Sequence, residues 1–291
     1  MSVIMKKILK TQKPKGSHWV GNGFPVRNMF GYNDLAKKIS PFLLLDYAGP
    51  HEFPPSIERR GVGEHPHRGF ETVTIIYSGE VEHRDSGGNS GLIGPGDVQW
   101  MTAARGVLHE EMHSKAFQQK GGCFEVVQLW VNLPAKDKMS NPSYQTLLNA
   151  DIPVISFPGS NSLMRIIAGD YQGAKGPAKT HTSVHLWDIR LAQGSRIELT
   201  VPEDETAVVF VLTGTVKVCD QETIAEAELA VLDPLGKNIS LEALSDSKIL
   251  FMGGTTINEP IVGLGPFVMN TREEITQAFT DYEAGTIGSL K

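Results

Sequence analysis

No apolar run in this 291-residue chain approaches the roughly 18 residues that a membrane-crossing helix requires. Nor does an apolar stretch follow the lysine-rich opening: Lys6, Lys7 and Lys10 lead into Thr11-Gln12-Lys13-Pro14, which is not the core of a secretion signal. Cysteine is scarce. Cys123 and Cys219 are the only two, far apart and outside any CxxC spacing, which excludes a disulfide framework and a thiolate zinc staple and suits a reducing compartment. A cytoplasmic location is the expectation. Positive charge is also in deficit: 27 Lys and Arg stand against 33 Asp and Glu, for a net charge of −6. A general nucleic-acid binder would show a basic footprint, so no direct nucleic-acid binding and no membrane association are expected, and the partners sought are small molecules or proteins. The one basic cluster, completed by Lys13 and Lys15, is interrupted by polar residues throughout and reads as a solvated arm.

Hydrophobic residues make up 40% of the chain, enough to fill two ordinary cores at this length. They recur in short runs rich in Val, Ile and aromatic residues and separated by Gly, Pro, Asn and Asp: residues 72–77, 98–102, 126–131, 184–191, 207–212, 229–232 and 249–252. This predicts a mostly β protein. The convincing helix comes last. Thr271 and Glu274 have capping-box spacing, Glu273 and Glu274 fall in the first turn, and Ile275, Phe279 and Tyr282 are spaced for one face.

A weak internal repeat divides the chain. Glu71-Thr72-Val73 through Ser78-Gly79-Glu80-Val81 to Asp85 is echoed by Glu205-Thr206-Ala207 through Thr213-Gly214-Thr215-Val216 to Asp220. The same register sets residues 105–112 against 237–244. Two antiparallel β-barrel domains of common design are expected, 1–140 and 141–291, with the cut near Asn141-Pro142 and the C-terminal helix in the second.

Chemistry concentrates in two pairs. His65 and His67, and His109 and Glu111, sit at i and i+2 of extended sequence, so each pair aims two donor groups at one face of its strand. Two such strands facing each other would offer three imidazoles and one carboxylate to a single metal ion. The intervening Glu110 points to the opposite face, and His113 has the parity of an inward pocket or rim residue. Across the repeat, His65 and His67 fall opposite Thr200 and Pro202 or their immediate neighbours, and His109 and Glu111 opposite Leu241 and Ala243. Only the first domain is expected to bind metal. His18, His51, His83, His181 and His185 read as structural; His181 and His185 share strand parity and could form a second site, but no carboxylate at matching spacing supports them.

His65-Pro66-His67 with Glu71 and Gly79 resembles the first cupin motif, the glycine arriving one residue late, and Gly91-Leu92-Ile93-Gly94-Pro95-Gly96-Asp97 resembles the turn opening the second. The histidine usually found soon after that turn is absent. That departure, together with His65-Pro66-His67-Arg68-Gly69-Phe70-Glu71-Thr72, Gly96-Asp97-Val98-Gln99-Trp100-Met101-Thr102-Ala103, Gln128-Leu129-Trp130-Val131-Asn132-Leu133, Gly265-Pro266-Phe267-Val268-Met269-Asn270-Thr271 and Pro41-Phe42-Leu43-Leu44-Leu45-Asp46, resembles the pirin branch of the cupins.

The resemblance implies an all-β bicupin: two tandem jelly-roll domains with a C-terminal helix. It implies His65, His67, His109 and Glu111 as metal ligands, with Glu71 outside the set. Such donors suit Fe(II), Mn, Ni, Cu or Zn; affinity alone would favour copper, whereas availability in a reducing cytoplasm and the resemblance favour iron, one ion per chain. Four protein ligands on an octahedral ion leave two positions open. The activity implied is that of an oxidoreductase, a quercetin 2,3-dioxygenase-like enzyme acting on a flavonol and O2, with Glu111 alternating between ligand and proton acceptor and Phe53, Phe70, Trp100 and Trp130 as candidate pocket walls. The alternative implied is a non-enzymatic, iron-dependent regulator that binds a transcription factor or a metabolic enzyme. The resemblance leans towards a monomer.

Overall fold

The computed structural model describes residues 4–290. The predicted apolar runs all become strands. Residues 98–102 and 184–191 match the observed spans Val98–Thr102 and Val184–Leu191, and the others lengthen by one to a few residues at their ends. In chain order the elements that matter for the site are β1 (Ile8–Gln12), β2 (Ser17–Val20), β3 (Phe24–Phe30), β4 (Phe42–Phe53), β5 (Gly61–His67), β6 (Phe70–Ser78), β7 (Val81–Asp85), β8 (Ser90–Ile93), β9 (Val98–Thr102), β10 (Val107–His113), α1 (Lys115–Lys120), β11 (Gly122–Asn132), β12 (Ser143–Leu147) and α2 (Arg272–Glu283).

The chain forms two compact units. One, the site unit, comprises Lys15–Lys37, Phe42–Asn149 and the segment from Ile257 onward; the other comprises the segment up to Pro14, Lys38–Pro41 and Ala150–Thr256. In the site unit a seven-stranded sheet, β12-β9-β6-β11-β4-β3-β2, accompanies a four-stranded sheet, β5-β10-β7-β8, with antiparallel pairing throughout. These are the two sheets of a jelly roll rather than one closed ring. Phe24, Val26, Ile76, Val81, Phe117, Phe124 and Val126 form one of its apolar clusters.

The second unit repeats the plan. Its seven-stranded sheet runs β1, Glu228–Leu232, Thr206–Thr213, Ser247–Gly254, Val184–Leu191, Leu163–Ala168, Val154–Ser156, and its four-stranded sheet runs Arg196–Thr200, Asn238–Ala243, Val216–Val218, Glu222–Ile224. The internal repeat is therefore structural, with β6 matching Thr206–Thr213 and β10 matching Asn238–Ala243. Register corrects its details. Glu111 pairs with His83 and His109 with His65, whereas in the second unit Leu241 pairs with Val218 and Ile239 with Leu199. The four candidate ligand positions thus correspond to Leu199, Val201, Ile239 and Leu241, one or two residues from the positions read off sequence, because the two copies differ in loop length. All four are buried in one hydrocarbon core.

The expected cut at residue 140 also needs correction, because both termini cross over. β1 completes the edge of the second unit's sheet through pairing with Glu228–Leu232. The helix α2 belongs to the site unit, where Ile275 and Ala278 pack with Leu108, Phe267, Met269 and Ile287. Its start is as predicted: Thr271 Oγ1 accepts from the Glu274 backbone at 3.1 Å and the Glu274 carboxylate accepts from the Thr271 backbone at 2.9 Å. Tyr282, expected on the buried face, is 40% exposed.

Candidate metal centre

His65 and His67 on β5 meet His109 on the neighbouring β10, where His109 lies directly opposite His65 and Val107 opposite His67. The alternation that puts i and i+2 on one face does the rest. The three rings converge, with centroids 4.2 Å (His65–His109), 4.8 Å (His65–His67) and 4.9 Å (His67–His109) apart. One nitrogen from each lies within 4.8 Å of the others, the single such group of possible metal ligands among the described residues. Glu111 enters the same cavity but stands outside that triad, its carboxylate accepting a 3.2 Å hydrogen bond from Thr74 Oγ1.

The polar surroundings leave the triad's donor atoms unspent. His65 Nδ1 donates to the Gly63 carbonyl at 2.8 Å, which leaves its Nε2 lone pair for a ligand. The Pro266 carbonyl accepts from the His67 ring, while His67 Nδ1 and both nitrogens of His109 have no hydrogen-bond partner although buried. A buried ring nitrogen without a partner costs about 1–3 kcal/mol, and a metal ion is what three converging imidazoles, two of them with such nitrogens, fit. Burial, reinforced by neighbouring imidazoles, holds His67 and His109 well below 6.5, and burial lowers His65 as well. The rings are therefore neutral and able to coordinate. Burial raises the Glu111 carboxyl to about 7 against the opposing pull of Thr74.

The backbone behind the triad is closely packed. Gly69, two residues past His67, has φ +90°, and a Cβ there would run into the Val268 carbonyl. Lys138 is buried and donates to the Gly69 carbonyl (2.6 Å), Asn132 Oδ1 (2.7 Å) and the Val268 carbonyl (3.0 Å), and Arg68 pairs with Asp281 of α2 at 2.7 Å.

A cavity of about 280 Å³ opens beside the triad, lined by Val20, Phe24, Val26, Val62 and Trp130 and by the polar groups of Asp46, Gln128, His65, His67 and Glu111. Of the four aromatic wall candidates only Trp130 lines it. Phe70 stacks behind Trp130 at 4.2 Å, Phe53 packs with His113 and Phe124, and Trp100 is fully buried. His113 is no rim residue: its ring lies among Phe24, Phe53, Phe117 and Phe124, with Nε2 bonded to the Gly23 carbonyl at 2.9 Å. Glu110 faces away from the triad, as parity required, and pairs with Arg84 at 2.7 Å and Arg59 at 3.5 Å.

Sequence reading missed Asp46, Gln128, Thr74 and Val62. Asp46 could have been noticed as a lone acid closing the apolar run Phe42-Leu43-Leu44-Leu45. Val62 could not, because a bulge sets three residue steps on β5, Val62 to His65, against two on β10, Glu111 to His109, and so reverses its facing. His83, directly across from Glu111, stacks on Tyr144 at 4.7 Å with its ring planes 8° apart.

The profile of the Pirin family matches residues 23–131, and that of the Pirin C-terminal cupin domain matches residues 186–288. A Pseudomonas aeruginosa protein provisionally named quercetin 2,3-dioxygenase is 56% identical over 97% of this chain and 98% of its own. A pirin-like protein of Solanum lycopersicum is 39% identical over 98% and 93%. The crystal structure of a quercetin 2,3-dioxygenase from Acinetobacter baumannii superposes with a TM-score of 0.97 at 51% identity, covering 99% of this chain and 100% of that one. With its paired cupin domains and its three-histidine cluster, this chain belongs to the pirin family.

Proposed function

We propose that the protein is a metal-dependent dioxygenase that cleaves a flavonol such as quercetin with O2, its ion, Fe(II) first among Mn, Ni, Cu and Zn, held by His65, His67, His109 and Glu111. The observation that carries this reading is the set of three converging imidazoles beside an apolar cavity, of which His67 and His109 are buried with partnerless nitrogens. A bound transition-metal ion would supply Lewis-acid activation of an enol oxygen and access to O2, and one carboxylate among neutral imidazoles leaves a divalent ion a positive charge for one anionic oxygen of the substrate. The chain supplies the remainder. Gly63 and Pro266 fix the His65 and His67 rings through their carbonyls. Val20, Phe24, Val26, Val62 and Trp130 exclude water and offer a flat apolar wall to an aromatic ligand. Glu111, whose carboxylate lies within hydrogen-bond distance of Thr74 Oγ1, would take the proton of a flavonol hydroxyl when it leaves the ion. The names of the Pseudomonas and Acinetobacter relatives support the substrate class. The unpaired thiols of Cys123 and Cys219 support a reducing, cytoplasmic setting.

The test is O2 uptake with a flavonol panel after anaerobic reconstitution with each metal in turn. Uptake is expected only with metal present, and loss of it in His109→Ala. No uptake with any flavonol and any metal overturns the enzymatic reading in favour of the regulator, whose signature is a protein partner bound differently by the Fe(II) and Fe(III) forms.

A further inference from the structure

A row of polar side chains crosses the seven-stranded sheet of the site unit, set by strand register. Gln99 on β9 lies opposite Thr74 on β6, Thr74 opposite Gln128 on β11, Gln128 opposite Asp46 on β4, and Asp46 opposite Asn28 on β3. Hydrogen bonds join two of its neighbouring pairs and tie it to Glu111. Thr74 Oγ1 lies 3.2 Å from Glu111 Oε1 and 2.6 Å from Gln128 Oε1, and Asn28 Nδ2 donates to Asp46 Oδ1 at 2.7 Å. The row starts buried, at Gln99 and Thr74, and surfaces in the cavity at Gln128 and Asp46.

Neither surfaced group is fully used. Among the described residues nothing bonds to Asp46 Oδ2 or to Gln128 Nε2. A free acceptor and a free donor therefore stand on adjacent strands, in register, inside a cavity whose other walls away from the histidines are hydrocarbon and Trp130. Burial pushes the Asp46 carboxyl up from 3.8 against the Asn28 hydrogen bond and the nearby His18, the mark of a group stripped of much of its water. A structural acid holding Asn28 would need one oxygen. The other is available to a ligand.

We propose that Asp46, with Gln128 beside it, determines which ligands the pocket accepts: Asp46 Oδ2 takes a hydrogen bond from a hydroxyl on a ring of an aromatic ligand whose metal-directed oxygen meets the His65, His67 and Glu111 side. The inference rests on the dioxygenase reading and deepens it, naming the substrate class as flavonols with free hydroxyls away from the enol. A ligand lacking that hydroxyl leaves the carboxyl covered and unpaired, and sites built around a hydrogen bond reject such analogues far more strongly than apolar pockets reject a change of size.

The experiment measures dissociation constants, without O2, for metal-loaded protein with a polyhydroxylated flavonol and with the same flavonol methylated on its pendant-ring hydroxyls. Wild type is expected to prefer the free hydroxyls by about tenfold or more, the worth of one hydrogen bond to a charged acceptor. Asp46→Asn keeps an oxygen for Asn28 and replaces the other acceptor with a donor, so the preference should collapse to near unity or invert; Asp46→Ala should also abolish it. A structural role alone would not move this ratio. Melting temperature and metal content identify a damaged variant, in which case the wild-type ratio decides, and a ratio near one overturns the inference. A preference that persists in Asp46→Asn also overturns it while leaving the dioxygenase reading in place. If no flavonol binds wild type, both fall together.

Discussion

Where the site unit carries His65, His67, His109 and Glu111, the second unit carries Leu199, Val201, Ile239 and Leu241 on, or for Val201 just past the end of, strands of the same order and pairing. In the hydrocarbon version all four side chains are buried, each contributing about 1.5–3 kcal/mol. The polar version buries the imidazoles of His67 and His109, with nitrogens that lack partners, and a carboxyl raised to about 7. One architecture thus carries either interior, so the fold does not depend on the chemistry placed in it. The polar interior costs stability until an ion is bound.

The comparison breaks most dramatically if it can be erased. Transplanting the second unit's residues, as His65→Leu, His67→Val, His109→Ile and Glu111→Leu together, should weaken metal binding by far more than the roughly 100-fold upper range of changes that merely support a ligand. The metal-free variant should keep its β circular-dichroism signature and melt above metal-free wild type. Elemental analysis and a thermal melt check this; loss of fold would show that the site unit needs its polar interior. The same analysis should find one tightly held ion in wild type, and a second that survives the fourfold change would contradict the comparison.

A smaller effect sharpens it. In metal-free protein the Glu111 carboxyl, about 7 when folded against 4.5 unexposed to burial, holds more protons in the folded state than in the unfolded state between those values. Its burial is therefore free of charge cost below pH 4.5 and grows costly as pH rises through 7, reaching about 3 kcal/mol at 1.36 kcal/mol per unit. Glu111→Gln lacks this dependence. Denaturant melts of the two proteins should show wild type losing ground to the variant between pH 5 and pH 8, and parallel curves would remove the buried-acid assignment. The histidines act in the opposite sense at lower pH in both proteins and cancel in the difference.

The smallest expected effect concerns Glu110. Its partners Arg84 and Arg59 are about half exposed, so Glu110→Gln should cost no more than about 1 kcal/mol and leave metal content unchanged. Equal loss of metal from Glu110→Gln and Glu111→Gln would show the facing of β10 to be misassigned.

What was legible in the sequence was local. Period-two spacing placed the three histidines together and turned Glu110 outward, and the Thr271 capping box located α2, because strand alternation and helix caps are decided within a few residues. Val62 was hidden by a bulge, a property of the strand pair rather than of either strand. Asp46 and Gln128 lie 82 positions apart and become neighbours only through register. His113 obeyed its parity and still joined a phenylalanine cluster, since alternation chooses a face and says nothing of depth. The unit boundary was hidden for a similar reason: nothing within α2 or β1 records which sheet each will cover.

That crossing of the termini has a temporal consequence. A ribosome delivers His65, His67, His109 and Glu111 in the first half of its transit, but the Pro266 carbonyl that orients His67, the Val268 carbonyl bonded by Lys138 and the Asp281 partner of Arg68 emerge only near the end. The proposed ligand set exists in the nascent chain long before its support does. Metal acquisition should follow release rather than accompany synthesis, and an interrupted chain carries every proposed ligand yet lacks the backing that fixes them.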